Sequence, residues 1–268
     1  MATSIQEIVE LIQKADKVLI GIGKEFSCEK LDLSGNDVYQ AYFGKKISKE
    51  YEETDWLLET IQKYYLASLD FKDDGRVLEA YKSLFDIVGD KDYYIVNMNG
   101  DVLLQRAGFS EEKVVYPCGN RMHYQCQNNC SDEVTSSESI DDELLSLIGS
   151  ASVKLSEIKR PKCKKCGKNL VYNRVENKNY CETGYLDKWK EYTEWTARTL
   201  NKKLCVLELG VNFQFPTVIR WPFEKIAFIN NKADFIRVNE KYSQLSSELA
   251  DKGIRIEKNA IDFLLNIK

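Results

Sequence analysis

The fold is decided by the stretch Lys17-Val18-Leu19-Ile20-Gly21-Ile22-Gly23-Lys24-Glu25-Phe26-Ser27. It is a short apolar run that stops at two glycines, and a helical pattern precedes it. Such a run predicts the first buried strand of a parallel α/β sheet. Glycines at the end of such a strand allow a sharp turn and a close approach to a phosphate group. A complete dinucleotide fingerprint has a third glycine shortly afterwards. This chain has Lys24, Glu25 and Phe26 there, so the stretch also fits an ordinary strand-to-loop turn.

Five further short strands are predicted after this stretch, with helical patterns between them. They are 94–96, 113–116, 204–209, 235–238 and 254–256. This alternation predicts an α/β fold with a Rossmann-like parallel sheet and helices on both faces. Pro216 is expected in the first turn of one of the helices. Ligands of such sheets bind at the carboxyl ends of the strands, which here are Gly21 and Gly23, 97–101, Cys118 and Gly119, 210–212, and Asn239.

Composition narrows the classes of function. The chain has 268 residues and a net charge of −4, so nothing in its charge argues for a nucleic-acid surface. It has no apolar run close to the roughly 18–20 residues that span a bilayer. Residues 1–10 read as an amphipathic helix rather than as an export signal. We therefore expect a cytoplasmic protein without a membrane or nucleic-acid partner.

Two pairs of cysteines predict a zinc site. Cys126 and Cys130 are separated by three residues, and Cys163 and Cys166 by two. Close pairs in a protein without an export signal bind metal more often than they form disulfides. Four thiolates around one tetrahedral ion make a closed, structural site. Free thiols or a redox switch are the alternatives. Cys181 is either a spare thiol or a replacement ligand, and the former is favoured.

These landmarks predict two units. Residues 1–118 and 202–268 form a Rossmann-like nucleotide-binding domain, with a mostly helical insert over 28–90. Residues 119–201 form a small zinc-binding module. Its middle, 131–162, is rich in serine and acidic residues, with one helix expected at 141–148.

With these landmarks in place, the chain resembles the sirtuins, the NAD-dependent deacylases and ADP-ribosyltransferases, and within them the macrodomain-linked members. The match runs in order over nearly the whole length. The residues that carry it are the strand and glycine loop 15–23, Asn99-Gly100-Asp101 with the later Ala107-Gly108-Phe109, Cys118-Gly119 in the place of His-Gly, Gln125-Cys126, Gly210-Val211-Asn212 in the place of Gly-Thr-Ser, Asn239-Glu240, and Pro222-Phe223 after a helix.

The resemblance implies roles for individual residues in binding NAD or a related adenosine nucleotide. Asn99 would hold the ribose next to nicotinamide or a water near it, and Asp101 would bind the carboxamide. The remaining contacts would come from Gly21, Gly23 and Ser27 in the phosphate loop, from Gly210, from Asn239 at the adenosine ribose, and from Ala260 at the adenine. An ordinary Asn-Gly-Asp turn is the alternative for Asn99 and Asp101.

Three departures from the family pattern bear on function. Glu25 replaces a loop glycine, and a carboxylate about 5 Å from a phosphate costs about 3 kcal/mol at an effective dielectric constant of about 20. Cys118 replaces the catalytic histidine, and a thiol with an ordinary pKa near 8.5 is a poor base at neutral pH. Asn212 replaces a serine. His123 is the single histidine, beside the zinc module, and is not expected to act as the base.

Two hypotheses follow. In the first, the chain is an enzyme that cleaves the nicotinamide–ribose bond of NAD, with Asn99, Asp101 and Cys118 at the reacting end. The resemblance implies ADP-ribosyl transfer to a protein of the lipoyl-carrier type, or deacylation. In the second, a sirtuin-like shell binds an adenosine nucleotide or a protein without turnover. Glu25 favours the second, whereas Asn99, Asp101 and Asn239 favour the first.

Overall fold

A six-stranded parallel sheet forms the centre of the molecule. The computed structural model describes residues 5–28, 40, 56–68, 72–150 and 157–267. The strands are β1 (Lys17–Ile22), β2 (Asp92–Asn97), β3 (Val114–Val115), β7 (Leu204–Leu209), β8 (Ala233–Val238) and β9 (Gly253–Ile256). Their order in the sheet is β3-β2-β1-β7-β8-β9, and every pair is parallel. β1 lies in the middle, with Ile20 opposite Ile95 on one side and Leu207 on the other.

The burial of β1 explains its unbroken apolar sequence. Val18, Leu19, Ile20 and Ile22 are all 0% exposed, because helices cover both faces of the sheet. Full burial of each such side chain contributes roughly 1.5–3 kcal/mol. The predicted Rossmann-like α/β fold with helices on both faces is confirmed.

Helices pack on both sides of the sheet. Their bounds are α1 (Ile5–Lys14), α2 (Trp56–Ser68), α3 (Lys72–Val88), α4 (Leu103–Arg106), α5 (Glu138–Ile148), α6 (Thr183–Ala197), α7 (Arg220–Ile229) and α8 (Ala260–Leu265). One core joins α1, α3 and α8 to one face of the sheet, and the other joins α6 and α7 to the opposite face. α2 and α3 fall within the predicted helical insert; residues 29–39, 41–55 and 69–71 of that insert lie outside the described residues.

A second, antiparallel sheet is formed by the part of the chain between β3 and β7 of the large sheet. It consists of β4 (Gly119–Cys126), β5 (Val134–Ser136) and β6 (Leu170–Arg174), in the order β5-β4-β6. All of its strands fall within 119–201, and all strands of the large sheet fall outside that range. We refer to the segment 119–201, which contains this sheet, as the cysteine module. The Nζ of Lys63 on α2 reaches the carboxylate of Asp141 on α5 at 2.6 Å, so the helical segment is tied to this module.

The prediction for Pro216 is wrong. α7 begins at Arg220, and Pro216 lies in the preceding turn, where its carbonyl accepts a hydrogen bond from the backbone N–H of Trp221 at 3.0 Å. The proline of the first helical turn is Pro222. Pro222 therefore lies inside the first turn of α7 rather than after a helix, where the resemblance places it, and a proline is tolerated there because a first-turn residue needs no N–H for helical pairing. Other boundaries moved only slightly; the helix expected at 141–148 begins at Glu138.

No helix among the described residues is both long and apolar enough to cross a membrane.

Candidate functional site

The carboxyl ends of β1, β2, β7 and β8 meet at one edge of the large sheet, where parallel α/β folds bind their ligands. The glycines at the end of β1 have packing reasons of their own. A Cβ on Gly23 would lie 2.3 Å from the carbonyl oxygen of Gly210, and one on Gly21 would lie 2.5 Å from Ile219. Both glycines thus let β1 and its loop approach β7 and α7. The cleft has two ends, which differ in their hydrogen bonding.

The first end, which we call the β2 end, contains Asn99 and Asp101. Asn99 is 3% exposed, and its Nδ2 donates to the carbonyl of Gly23 at 2.8 Å and to Oδ1 of Asn97 at 3.2 Å. Its Oδ1 has no hydrogen-bond partner among the residues described. A buried acceptor without a partner costs about 1–3 kcal/mol. A hydroxyl or water that donates to this oxygen would remove that cost.

Asp101 lies two residues further along and is 2% exposed. Its Oδ1 accepts the backbone N–H of Leu103 at 3.0 Å, which fixes the carboxylate at the start of α4. Burial and, second, the charge of Asp101 raise the pKa of Tyr81 well above its ordinary value. The carboxyl group of Asp101 is therefore held in the interior at the start of α4.

Two arginines from the cysteine module line the same small cavity as Ser27, Asn99 and Asp101. Arg121 on β4 is 5% exposed, and its Nε has no partner among the residues described. Arg174 on β6 bonds Glu59 at 2.9 Å and Glu176 at 3.2 Å. Burial and, second, the charge of Arg174 lower the pKa of Arg121. Sequence reasoning missed both arginines; the one available signal was a charged residue within a strand of the module.

Cys118 is buried in the apolar core rather than presented to the cleft. It is 5% exposed and belongs to the core that contains Tyr192 and Trp195. Burial raises the pKa of its thiol to about 11, against a smaller lowering by the positive charge of Lys24. At neutral pH the group is a neutral thiol, so it is neither a general base nor an activated nucleophile.

His123 lies on β4, opposite Ser136 of β5, and it is half-buried. Its Nδ1 lies 3.3 Å from Oδ1 of Asn120, and burial lowers the pKa of the ring. The side chain does not line the cavity of Asn99 and Asp101.

The second end of the cleft, which we call the β8 end, is closed by Glu25. The Oε1 of Glu25 accepts the backbone N–H of Glu240 at 2.9 Å, and its Oε2 accepts that of Ala260 at 2.7 Å. Burial raises the pKa of this carboxyl, while the two backbone hydrogen bonds lower it by less. The sequence predicts the Glu25 carboxylate beside a phosphate. In the structure it is hydrogen-bonded to the backbone that follows β8 and to the first residue of α8, which follows β9.

Asn239 at the end of β8 is fully engaged by the protein. Its Nδ2 donates to the carbonyl of Val211 at 2.9 Å, and its Oδ1 accepts the N–H groups of Lys241 at 2.9 Å and Tyr242 at 2.7 Å. The side chain is 1% exposed. In this structure Asn239 joins the loop after β7 to the loop after β8.

A buried ionic cluster is hydrogen-bonded to the loops after β7 and β8. Glu208, Arg220 and Arg237 are 0%, 3% and 0% exposed. Arg237 donates to both oxygens of Glu208, at 2.7 and 2.8 Å, and also pairs with Glu224. Arg220 bonds Glu208 and the carbonyls of Val211, Tyr242 and Gln244. The cluster fixes where both loops lie. A charged residue within the apolar run 204–209 is the sequence signal for Glu208, but its pairing with two arginines leaves no such local signal.

The four paired cysteines converge in the cysteine module. The Sγ atoms of Cys126 and Cys166 are 3.4 Å apart, those of Cys130 and Cys163 are 3.6 Å apart, and all four lie within 4.8 Å of one another. Four sulfurs about 2.3 Å from one tetrahedral ion are separated by about 3.8 Å. The cluster therefore fits a zinc ion, and its members are the four cysteines from which the sequence predicts a zinc site.

Cys181 lies outside this cluster. Its Sγ contacts the hydroxyl of Thr183 at 2.8 Å and Oδ1 of Asp132 at 3.6 Å, and the residue is 0% exposed.

The fold was compared with those of known proteins. No family model matches the chain. Solved Sir2 structures match it over nearly the whole length. One, described as a structural basis for the mechanism and regulation of Sir2 enzymes, has 15% identity, a TM-score of 0.55 and coverage of 98% of this chain and 95% of its own. Another, a Sir2 mutant with a p53 peptide and NAD, has 16% identity, a TM-score of 0.52 and coverage of 99% and 97%. The chain has the sirtuin fold.

Two curated relatives add sequence similarity. A probable bifunctional ADP-ribose hydrolase/ADP-ribosyltransferase of Fusarium oxysporum f. sp. cubense is 26% identical over 245 residues, which are 85% of this chain and 41% of the relative. The chain thus spans less than half of that protein. A protein ADP-ribosyltransferase of Staphylococcus aureus (strain Mu50) is 21% identical over 265 residues, 92% of this chain and 82% of the relative. The chain is thus sirtuin-like in fold, and both of these relatives carry ADP-ribosyltransferase in their descriptions.

Proposed function

We propose that this chain binds NAD with its nicotinamide end at the β2 end of the cleft and transfers ADP-ribose to a protein acceptor. The observation that carries this proposal is the buried Oδ1 of Asn99, which has no partner among the residues described and lies in one cavity with Asp101 and two arginines. A buried polar group in this state indicates a site that a ligand completes. When bound, NAD supplies the ADP-ribosyl group and nicotinamide as the leaving group.

The chain's own residues would divide the work as follows. Asn99 accepts a hydrogen bond from a ribose hydroxyl or from an ordered water, and Nδ2 keeps the amide oriented through Gly23. Asp101 accepts a hydrogen bond from the carboxamide N–H. Arg121 and Arg174 line the same cavity as Ser27 of the phosphate loop, where their positive charge would stabilise negative charge on a phosphate.

Transfer is favoured over deacylation because the cleft lacks a base at the position where the resemblance expects one. Cys118 is a buried thiol with a pKa of about 11. Departure of nicotinamide requires positioning rather than a strong base, and Asn99 and Asp101 supply positioning. The acceptor is proposed to be a protein of the lipoyl-carrier type, which rests on the resemblance to macrodomain-linked sirtuins. We also propose zinc as the ion of the four-cysteine cluster.

The proposal is tested by nicotinamide release from NAD by the wild-type protein and by Asp101→Asn. This substitution keeps the size of the side chain and an oxygen that can accept the N–H of Leu103, but it removes the charge. We expect release by the wild type and a loss of at least 100-fold in the variant, which corresponds to about 2.7 kcal/mol. Asn231→Ala changes an exposed amide far from the cleft and serves as the control. Equal release by wild type and Asp101→Asn contradicts the proposal.

A second candidate is a nucleotide-binding or protein-binding shell without turnover. The observation that favours it is the self-occupied β8 end, where Glu25 takes two backbone amides. In that case NAD binds to Glu25→Ala but no nicotinamide is released by either protein.

A further inference from the structure

Glu25 links three distant parts of the chain at one point of the cleft. It belongs to the short 3-10 turn Lys24–Phe26 that follows β1. Its two carboxylate oxygens accept N–H groups from Glu240, 215 residues away, and Ala260, 235 residues away. The first amide follows β8, and the second begins α8 after β9. Both therefore sit at the edge of the sheet where ligands bind.

Both amides are paired with Glu25. The hydrogen bond to the Ala260 amide is part-buried and the one to the Glu240 amide is exposed; backbone N–H groups that are withdrawn from water are almost always paired, with protein or with ligand. In this structure each is paired with one oxygen of the same carboxylate. The carboxylate thus stands where the oxygens of a ligand would have to stand in order to use these amides.

The body of the Glu25 side chain also fills the space. Gly210 directly follows β7 and has φ +64°, and a Cβ on it would lie 2.6 Å from Cβ of Glu25 and 3.2 Å from its Oε2. The methylene groups of Glu25 therefore pack directly on the bare backbone of Gly210. A ribose or base that approached Gly210 would meet the side chain of Glu25 first.

Hydrogen bonds and packing hold the backbone around this point, so Glu25 can leave it by breaking its two hydrogen bonds and rotating about its own side-chain bonds. Arg220 and Asn239 fix the loops after β7 and β8 through the hydrogen bonds described above. Phe26, next to Glu25, is 0% exposed and stacks on Tyr81 with 5.2 Å between ring centroids. The backbone on both sides is thus held. Opening requires rotation of one side chain rather than movement of a loop.

We propose that Glu25 is the residue that decides whether the β8 end accepts an adenosine-containing ligand: its carboxylate is an intramolecular occupant of the adenosine pocket, and the ligand binds only after it withdraws. The proposal rests on the proposed function for the placement of a nucleotide in this cleft. Beyond the proposed function, it states that one side chain, that of Glu25, controls access to the β8 end of the cleft.

The test uses ADP-ribose, which carries the adenosine and both phosphates but no nicotinamide bond, so that binding is separated from turnover. Isothermal titration calorimetry on the full chain compares wild type, Glu25→Ala, Glu25→Gln and Glu240→Gln. We expect Glu25→Ala to bind ADP-ribose at least tenfold more tightly than the wild type. Glu25→Gln keeps the size of the side chain but has only one acceptor oxygen, and we expect an intermediate gain.

Glu240→Gln is the matched control, because it removes one negative charge beside the same pocket and leaves the backbone amide and Glu25 in place. We expect less than a twofold change. Equal gains in Glu240→Gln and Glu25→Ala would overturn the proposal in favour of simple charge repulsion, and so would unchanged binding in both Glu25 variants. Nicotinamide release plays no part in these outcomes, so a failure of the proposed reaction is recognised separately, by its absence in every variant.

Thermal unfolding gives a second readout. Without ligand, Glu25→Ala should melt at a lower temperature than the wild type, because two amides lose their acceptor. Saturating ADP-ribose should raise the melting temperature of Glu25→Ala more than that of the wild type. A melting temperature that ADP-ribose raises equally in both proteins contradicts the proposal.

Discussion

The two ends of the cleft use similar side chains in opposite ways. At the β2 end, the Oδ1 of buried Asn99 is left without a partner among the residues described, and two arginines surround the cavity. At the β8 end, Glu25 and Asn239 bond fully to the protein itself. An end with an unsatisfied group is built to be completed by a ligand, whereas an end that is already satisfied must give up contacts before it binds anything. The resemblance predicts ligand contacts at both ends. In this structure a buried acceptor without a partner among the residues described, the Oδ1 of Asn99, is found at the β2 end, whereas the Glu25 carboxylate and the Asn239 side chain at the β8 end are hydrogen-bonded to the protein.

The two ends also depend on different supports. The β2 end takes Arg121 and Arg174 from the cysteine module, whereas the β8 end rests on the ionic cluster of Glu208, Arg220 and Arg237. Substitutions that remove one support at a time therefore separate the two ends.

The largest effect is expected from the cysteine cluster. Cys163→Ser should lose the bound zinc, measured as metal per chain by mass spectrometry, because three thiolates no longer close a tetrahedral site. Zinc binding supplies about 10–16 kcal/mol in small structural sites, so we expect the module to lose its fold. Nicotinamide release should be lost with it, since Arg121 and Arg174 are no longer placed.

Cys181→Ser is the matched control, a buried cysteine of the same module outside the cluster. It should keep one zinc per chain. Wild-type protein that contains no zinc when freshly purified would remove the module from the account.

The ionic cluster under the β8 end gives the next largest effect. Glu208→Gln leaves Arg220 and Arg237 buried without their shared carboxylate, and breaking such a pair costs about 3–5 kcal/mol. Urea unfolding should show this loss. The exposed pair of Arg255 and Glu257, 54% and 65% exposed, is the comparison. Arg255→Met should change the free energy of unfolding by less than about 1 kcal/mol. Similar losses in the two variants would show that the cluster does not hold the loops.

The smallest effect is expected at Cys118. Its pKa of about 11 lies above the ordinary range of a thiol, so the thiol keeps its proton as the pH rises and loses it only near the raised value. Nicotinamide release should therefore show no rise due to this group between pH 6 and 9. Cys118→Ala should retain release within about threefold of the wild type, or about 0.65 kcal/mol. A pH-dependent rise that disappears in Cys118→Ala would make the thiol a catalytic group.

The sequence allowed the sheet and the grouping of the two cysteine pairs to be predicted because both depend on local patterns. The run 204–209 matches β7 residue for residue, and each cysteine pair is set by its own turn. The contacts of Glu25 could not be predicted, because its partners lie more than 200 residues away and are backbone amides, which leave no mark on the sequence. Arg121 and Arg174 come together with Asn99 only through the packing of one module on another.

Pro216 shows a different limit. A proline at the start of a helical pattern favours a helix start, and two prolines, Pro216 and Pro222, fit that role. The choice between them was made by tertiary contacts. Ile219 and Phe223 pack on Gly21, and Arg220 reaches Glu208, which places the first helical turn at Arg220.

The most direct test of the difference between the two ends is the rate of nicotinamide release as a function of NAD concentration, for wild type and Glu25→Ala. If the reacting groups lie at the β2 end and Glu25 only blocks the β8 end, Glu25→Ala should lower KM at least tenfold and leave kcat within about twofold. No release of nicotinamide by either protein, at any NAD concentration, would contradict the account.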